Sequence, residues 1–306
     1  MKKTIIITGG SQGLGLQTSK ILAADKNVSL IIGSRNLKKT EKIAGQLIKD
    51  TGNPKIYGLQ LDLADFNSIK EFVHNFLQLN LSPLQVLINN AGIQYVSETK
   101  YTEQGYELTF GVNHLGHFFL TQLLTPHINK NGKIFNVASG VHNPELKTGM
   151  PNPVYSSARK LAFPGSVDLK ENLRKQGQIR YSTSKLCNIL FTYKLADKYE
   201  QQATHIQVFA FDPGMMPGTG LANDYPVIIR FLWKYIMPVQ TLFNNRVNTP
   251  EQSGKILADW VLNNKTDKSS LYFYAGGEEP SSKLSYDKDL QENLWDFSMK
   301  EVRKWL

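Results

Sequence analysis

The sequence has a single cysteine, Cys187, among its 306 residues, which excludes an intrachain disulfide bond. So little cysteine is typical of proteins in reducing compartments, and we therefore expect a cytoplasmic protein. Long apolar runs are also missing: no stretch of about 20 uncharged apolar residues is present, so we predict no transmembrane helix. The short apolar run after Met1 leads directly into a glycine-rich segment, and it is better explained as a β-strand than as a secretory signal.

Low-complexity tracts, internal repeats and linker-like segments are absent as well. With 41% hydrophobic residues, the chain is long enough to bury a large core, and we predict one domain over residues 1–306. The formal net charge is +9, and basic residues concentrate at residues 159–160 and 170–180. No nucleic-acid-binding motif accompanies this charge, so we expect no nucleic-acid partner. A solvated basic face that favours anionic cofactors or membrane surfaces is the better interpretation.

The most informative segment is TGGSQGLG at residues 8–15. It lies between a β-branched run at residues 4–8, typical of a buried strand, and a helical stretch at residues 14–24. A glycine turn in this context brings the unpaired N–H groups of a helix N-terminus close to a pyrophosphate. A βα turn without a ligand is the alternative on these residues alone. The predicted dinucleotide contacts are Gly9, Ser11, Gln12, Gly13, Leu14 and Gly15.

The second predicted strand, at residues 28–33, ends in Ser34, Arg35 and Asn36. A carboxylate at this corner would bind the 2′-hydroxyl of NAD, and none is present. Arg35 instead offers a planar group suited to a 2′-phosphate, and Ser34 and Asn36 can add hydrogen bonds. The sequence therefore predicts NADP(H) as the cofactor.

Strands and helices alternate through the rest of the chain, which indicates an α/β fold. We predict a single Rossmann-like, doubly wound parallel sheet flanked by helices. Further strands are expected at residues 55–61, 85–89, 133–138, 206–211 and 271–275. Helices are expected at residues 38–50, 65–77, 111 onwards, 181–199, 250–261 and 287–306.

Two motifs follow the third and fourth predicted strands. Asp62 and Leu63 follow the third, where Asp62 either meets the adenine or caps the next helix, a position for which Asp65 is better suited. The fourth strand runs into the small residues of NNAG at residues 89–92, which permit close approach of a cofactor ribose. The contacts expected there are Asn90, Ala91 and Gly92.

Three polar residues on the following predicted helix need an explanation. Asn113 lies in a helix interior, where an asparagine usually has a specific hydrogen-bonding task. His114 and His117 are three positions apart, but further ligands at metal-site spacing are missing. We therefore expect no metal site, and we assign both histidines to packing or to the surface.

The proton-transfer residues and two long segments lie in the second half of the chain. Tyr181 and Lys185 are four positions apart and share one helix face, while Ser139 ends the fifth strand. Between them, residues 140–180 form an insertion before Tyr181, with one short helix expected around residues 168–176.

Residues 213–248 are predicted to form a lid over the substrate, because their apolar positions are too dense for one narrow buried stripe. The substrate contacts expected there are Met215, Met216 and Trp233, since methionine adapts to irregular ligands. An ordinary packed helix pair and a weak membrane-surface helix are the alternatives.

The motifs occur in the order found in short-chain dehydrogenases/reductases, which the sequence resembles over residues 4–220 at least. Within that family, NHLGHF at residues 113–118 and SKLCN at residues 184–188 are similar to retinol dehydrogenases and light-dependent protochlorophyllide reductases. Two positions depart from the pattern. Met215 stands where the protochlorophyllide enzymes have a cysteine, and Gly218 stands where the family has a threonine, with Thr219 next.

The resemblance implies the roles of the site residues. Tyr181 is the acid/base, and Lys185 lowers its pKa and binds the nicotinamide ribose. Ser139 orients the carbonyl, while Asn113 holds a water that relays protons to Lys185. The remaining cofactor contacts are expected at Pro213, Gly214 and Thr219.

Together these expectations describe an NADPH-dependent oxidoreductase that reduces a carbonyl of a bulky apolar small molecule. A protochlorophyllide- or retinoid-type reductase and a catalytically silent NADP(H)-binding sensor are the alternatives. We expect a monomer or a weak dimer, because residues 140–180 should hinder pairing of the helices at residues 112–129 and 181–199.

Overall fold

The computed structural model describes residues 2–165, 172–242, 246–264 and 266–306. Within these ranges, one eight-stranded sheet forms the centre of the molecule, in the order β3-β2-β1-β4-β5-β6-β7-β8 by the labels that follow. The strands are β1 (Lys3–Thr8), β2 (Val28–Ser34), β3 (Ile56–Gln60), β4 (Leu84–Asn89), β5 (Ile128–Val137), β6 (Gln207–Asp212), β7 (Leu271–Tyr274) and β8 (Gly277–Glu278). Strands β1 to β7 are parallel, and β8 pairs antiparallel with β7. The predicted Rossmann-like α/β fold is therefore confirmed.

Helices lie on both faces of this sheet. They are α1 (Gly13–Ala24), α2 (Leu37–Thr51), α3 (Phe66–Gln78), α4 (Leu108–Phe110), α5 (His117–Leu124), α6 (Ala158–Ala162), α7 (Leu173–Gln201), α8 (Val227–Phe231), α9 (Pro250–Asn263) and α10 (Lys288–Val302). The side chains of Ile5 and Ile7 pack into the core with α1, α2 and α9, whereas Ile6 faces the core with α3, α5, α7 and α10. Because the strands are buried on both faces, they are continuous apolar runs in the sequence.

Helix boundaries differ from the prediction at two places. Helix α7 begins at Leu173, where the Asn172 side chain accepts hydrogen bonds from the N–H groups of Arg174 and Lys175. Part of the short helix expected around residues 168–176 is therefore the first turn of α7, and residues 166–171 lie outside the described residues. The helix expected from residue 111 begins earlier, with α4, and a π-helical segment, Gly111–Gly116, connects α4 to α5.

Helix α10 packs against α5 and α7. The ring centroid of Trp295 lies 5.2 Å from that of Phe118 and 6.4 Å from that of Phe191. Ion pairs between α7 and α10, one of them Lys288 with Asp197, lie at the edge of this contact. The C-terminal helix of the chain thus covers one side of α5 and α7. That the protein is a monomer or a weak dimer stays a prediction.

No helix in the described part of the chain combines the length and the apolar character needed to cross a bilayer.

The sheet order determines where a ligand binds. Strand β1 lies between β2 and β4, so the chain leaves β1 toward one side of the sheet and later returns to its other side. In open α/β sheets, such a reversal forms a crevice at the carboxyl ends of the strands. The glycine turn follows β1 and the NNAG segment follows β4, so both lie at this crevice.

Candidate active site

A cavity of about 680 Å³ occupies the crevice and joins the predicted dinucleotide turn to the predicted catalytic residues. The predicted residues that line it are Gly9, Ser11, Gln12, Gly13, Leu14, Gly15, Ser34, Arg35, Asn36, Asp62, Leu63, Asn90, Ala91, Gly92, Ser139, Tyr181, Lys185, Pro213, Met216 and Thr219. The predicted residues outside its lining are Asn113, Gly214, Met215 and Trp233.

The N-terminus of α1 faces this cavity with its backbone amides available. The preceding residue, Gln12, is extended and makes no side-chain cap hydrogen bond, and the first turn carries no acidic side chain. Gly13 has a φ of +51°, and a Cβ added there would meet only Thr219, whose Cγ2 would lie 3.9 Å away. The turn therefore leaves open space in front of unpaired N–H groups, which suits an anionic group such as a pyrophosphate.

Two cationic side chains, Arg35 and Lys39, line the cavity beyond the glycine turn. Lys39 Nζ donates to Gln12 Oε1 at 2.9 Å, and Ser11 Oγ donates to Ser34 Oγ at 3.3 Å. The sequence analysis did not find Lys39, which lies in the first turn of α2, four positions after Arg35. Together these groups can bind a phosphate on the adenosine ribose.

Asp62 also lines the cavity, and it is not the cap of helix α3. The cap is Asp65, whose Oδ1 accepts from the N–H of Asn67 at 2.9 Å. Asp62 Oδ1 instead accepts from the N–H of Ala64 at 2.9 Å. The structure thus resolves the alternative left by the sequence in favour of Asp65 as the cap.

A buried hydrogen-bond network holds the NNAG segment against β1. Thr8 Oγ1 accepts from the N–H groups of Asn90 and Ala91, both at 2.9 Å, and donates to His117 Nε2 at 2.8 Å. His117 Nδ1 in turn donates to the carbonyl oxygen of Asn113 at 3.1 Å. Burial lowers the pKa of His117 to about 4, so the imidazole is neutral and can accept at one nitrogen while it donates at the other.

The Asn113 side chain is committed to protein partners. Its Oδ1 accepts from the N–H of Ile93 at 2.8 Å, and its Nδ2 donates to the carbonyl of Ile93 and to Ser184 Oγ, both at 2.9 Å. In this arrangement Asn113 holds the segment after β4 against α7. That it holds a proton-relaying water stays a prediction.

Tyr181 and Lys185 are both buried on α7, and they face the cavity together with Ser139. Lys185 Nζ donates to the carbonyl oxygen of Val137 at 3.0 Å and lies 5.6 Å from the centroid of the Tyr181 ring. A Cβ added to Gly92 would lie 3.5 Å from the same Nζ, so the glycine keeps the space in front of the ammonium group open.

Burial shifts the pKa values of Lys185 and Tyr181 in opposite directions, because it disfavours the charged form of each side chain. Burial lowers the pKa of Lys185 to about 8, although the nearby Asp212 opposes this. Burial raises the pKa of Tyr181, and Asp212 and Tyr225 add to the rise. The phenol is therefore protonated at neutral pH. That Lys185, together with the positive charge of an oxidised nicotinamide, lowers the pKa of Tyr181 stays a prediction.

The loop that carries Ser139 is held by a residue that the sequence analysis missed. His142 is fully buried, its Nδ1 donates to the carbonyl oxygen of Ser139 at 2.7 Å, and its Nε2 accepts from the N–H of Ser282 at 3.0 Å. The imidazole also packs against the ring of Tyr272, with 5.1 Å between the centroids. Burial lowers the pKa of His142 to about 4, which matches this neutral, donating and accepting form.

A second missed residue, Asp212, ends β6 beside the same loop. Its Oδ2 accepts from the Tyr272 hydroxyl at 2.7 Å, and its Oδ1 accepts from the N–H of Gly214 at 2.9 Å. Burial raises the pKa of Asp212. The sequence shows that Asp212 directly precedes the Pro-Gly pair, but only the fold shows that its partner is Tyr272 on β7.

The first part of the lid segment borders the cavity. Met216, Thr219, Gly220, Asn223 and Asp224 line the cavity. Asp224 is fixed by hydrogen bonds that its Oδ2 accepts from the N–H groups of Val96 and Ser97, at 2.7 and 2.8 Å. Met215 instead forms a backbone bridge with Val247, and Trp233 Nε1 donates to the carbonyl oxygen of Thr219 at 3.1 Å.

Comparisons with the sequences of known proteins point to one family. The family model described as short chain dehydrogenase matches residues 3–168. A chloroplastic protochlorophyllide reductase from Cucumis sativus is 30% identical over 98% of this chain and 78% of its own length. Retinol dehydrogenase 12 from Mus musculus is 33% identical over 77% of this chain and 68% of its own length.

Solved structures agree on the fold. The crystal structure of an uncharacterized protein from Mycobacterium Paratuberculosis covers 98% of this chain and 93% of its own, with a TM-score of 0.70 and 23% identity. The resemblance predicted from the motifs is thereby confirmed, and this chain belongs to the short-chain dehydrogenase/reductase family of oxidoreductases, within the branch that resembles retinol dehydrogenases and protochlorophyllide reductases.

Proposed function

We propose that this protein reduces a carbonyl of a bulky apolar substrate with NADPH, and that Tyr181 donates the proton. The observation that carries the proposal is the shared cavity: the amides of the α1 N-terminus, the cations Arg35 and Lys39, and the Ser139, Tyr181 and Lys185 side chains line one space. A dinucleotide with a 2′-phosphate fits these residues, because it places anionic groups at the amides and at the cations. NADPH supplies the hydride when it is bound.

The proton chemistry follows from the buried side chains. Because burial raises the pKa of Tyr181, its phenol keeps its proton until a developing alkoxide in the substrate takes it. Ser139 Oγ–H donates to the same oxygen and orients the carbonyl. The product is an alcohol, and Tyr181 is left as a tyrosinate. Lys185, with a pKa of about 8, is cationic at neutral pH and returns a proton to the phenolate.

The substrate end of the cavity is mainly apolar. Beside Ser139 and Tyr181, the cavity lining includes the apolar side chains of Ile93, Tyr95 and Met216, together with polar side chains such as Gln94 and Asn223. An apolar wall excludes water and strengthens the hydrogen bonds to the developing alkoxide. This composition supports an apolar carbonyl substrate, as in the sequence-based prediction.

The names of the relatives suggest two probes for the assay. Purified protein would be given NADPH or NADH with short ketones, long-chain aldehydes, retinal and, under illumination, protochlorophyllide. We expect NADPH-dependent reduction, with a much higher kcat/KM for large apolar carbonyls than for short polar ones. NADPH binding without turnover on any substrate would instead favour the sensor, and preference for NADH or for small polar carbonyls would contradict the proposal.

A further inference from the structure

The lid helix, defined as residues 227–236, exposes an unusual amount of apolar surface. Val227 and Ile228 are each 75% exposed, and Phe231 and Tyr235 are 56% and 59% exposed. In the described part of the chain, six of the fifteen large apolar side chains that are exposed lie in this one segment. Scattered apolar residues on a surface are normal, but a contiguous group usually marks an interaction site.

These side chains do not belong to the cavity wall. The opposite side of the same helix, which carries Ile229 and Trp233, is half-buried against the protein. The rotation of the helix is determined by two hydrogen bonds: Trp233 Nε1 donates to the carbonyl oxygen of Thr219 at 3.1 Å, and the N–H of Gly218 donates to the carbonyl oxygen of Trp233 at 3.0 Å. Because these hydrogen bonds hold one side of the helix against the protein, the apolar side points to solvent.

The charges on the exposed surface identify its partner. Arg230 and Lys234 are both exposed among the apolar side chains, and Lys234 Nζ lies 5.2 Å from the centroid of the Tyr235 ring. The Tyr235 ring contacts the Phe231 ring, with 5.0 Å between the centroids. Apolar and aromatic side chains with cations at their edge match the boundary between acyl chains and anionic headgroups.

A second copy of the chain is a poorer match. A two-fold contact through this helix would bring Arg230 and Lys234 of both copies together, and the whole chain carries a formal charge of +9. An anionic bilayer removes this repulsion and takes up the apolar side chains at the same time.

We propose that the lid helix binds the surface of an anionic bilayer, with Ile228 and Phe231 inserted among the lipids and Arg230 and Lys234 at the headgroups. This contact places the lid, and the cavity that it borders, at the membrane surface. The proposal concerns binding alone and does not depend on which reaction the cavity performs.

The test is co-flotation of the full-length protein with vesicles made of phosphatidylcholine and phosphatidylglycerol in equal parts. We expect wild-type protein to float with these vesicles and to bind pure phosphatidylcholine vesicles much more weakly. The variant Ile228→Ser/Phe231→Ser should bind at least about tenfold more weakly, because it removes two inserting side chains. Arg230→Gln/Lys234→Gln should lose about fivefold per charge on the anionic vesicles.

The matched control is Tyr101→Ser/Val154→Ser, which removes two side chains of similar exposure, 52% and 57%, from outside the lid helix. It should bind like the wild type, and equal NADPH affinity in all variants would show that they are folded. Equal flotation of the control and of the Ile228/Phe231 variant would overturn the proposal. So would a concentration-dependent dimer, seen by sedimentation without vesicle binding, that the Ile228/Phe231 variant abolishes, because the surface would then pair two copies.

Discussion

Arg35 and Lys39 are the cationic side chains that line the cavity beyond the glycine turn, and no carboxylate ends β2 beside them. At the scale of single residues, we expect this corner to determine the cofactor preference, because a 2′-phosphate would gain charge-assisted hydrogen bonds there that a 2′-hydroxyl would not.

We expect Arg35→Ala and Lys39→Ala each to raise the Kd for NADPH by about tenfold, the loss of one charge-assisted hydrogen bond, and to change the Kd for NADH little. Binding titrations with both cofactors measure this. Lys42→Ala, an exposed position on the same helix, is the control. An equal loss for both cofactors would mean that the cations do not recognise the 2′-phosphate.

We expect His142 to be a positioning residue, because it holds the backbone of Ser139, for which we propose a role in orienting the substrate carbonyl. Its Nδ1–H holds the Ser139 carbonyl and its Nε2 accepts from Ser282, so the loop geometry depends on both contacts. We expect His142→Ala to lower kcat for carbonyl reduction by roughly tenfold, because Ser139 loses its fixed orientation toward the substrate oxygen. The Kd for NADPH should stay unchanged.

His142→Asn keeps a donor near the Nδ1 position and should recover part of kcat. Steady-state kinetics together with NADPH binding separate the two effects. If His142→Ala weakened NADPH binding as much as it lowered kcat, a general disturbance of the fold would explain the result better than positioning.

At the scale of elements, the sequence predicted the strands and the glycine turn because their signals are local. Strand β1 consists largely of β-branched residues, which indicate a buried strand, and the motif after it contains the glycines that a tight turn requires. The start of α7 at Leu173 was missed because the long insertion hides its cap, Asn172. The contact of His142 with Ser282 joins residues 140 positions apart, and no local pattern in the sequence predicts such a contact.

The lid segment shows the same limit. Its dense apolar residues were correctly noticed, but the sequence could not distinguish a wall facing the cavity from a surface facing outward. That orientation depends on the Trp233–Thr219 hydrogen bond, which joins two parts of the segment 14 positions apart. Only the fold shows which side of the lid helix is exposed, and this exposure distinguishes the two interpretations.

Asp224 connects the lid to the segment after β4. Burial by itself raises the pKa of Asp224. Hydrogen bonds from the backbone N–H groups of Val96 and Ser97 oppose burial, and the pKa of Asp224 lies below its ordinary value. Asp224→Asn can keep at most part of these bonds, because an amide oxygen is a weaker acceptor than a carboxylate. We expect a several-fold higher KM for large apolar carbonyls and an unchanged Kd for NADPH, as measured by steady-state kinetics and by titration. An unchanged KM would show that this contact does not hold the lid over the substrate.

At the scale of the whole molecule, three buried histidines make stability depend on pH. Burial lowers the pKa of His114 to about 3 and those of His117 and His142 to about 4. In the unfolded chain these residues take up protons below pH ~6.5, whereas the folded protein does not until pH ~4. The free energy of unfolding therefore decreases as the pH falls through this window, by roughly 1.4 kcal/mol per pH unit for each histidine.

Buried Glu107 and Asp212 act in the opposite direction, because burial raises their pKa values. A single variant isolates one histidine: His114→Phe should reduce the slope of unfolding free energy against pH between pH ~6 and pH ~4 by about 1.4 kcal/mol per pH unit. Chemical denaturation at a series of pH values measures it. Equal slopes for the variant and the wild type would mean that His114 is protonated in the folded state.

The central claim for the whole molecule is that one cavity joins a cofactor site to a proton donor, Tyr181. The most direct test compares Tyr181→Phe with the wild type in two measurements on the same preparation: the Kd for NADPH and the rate of NADPH consumption with a large apolar carbonyl. The account predicts a nearly unchanged Kd and a rate reduced by at least about a hundredfold, because only the phenolic proton is removed. Retention of most of the rate, with the Kd unchanged, would contradict it, since another group would then supply the proton.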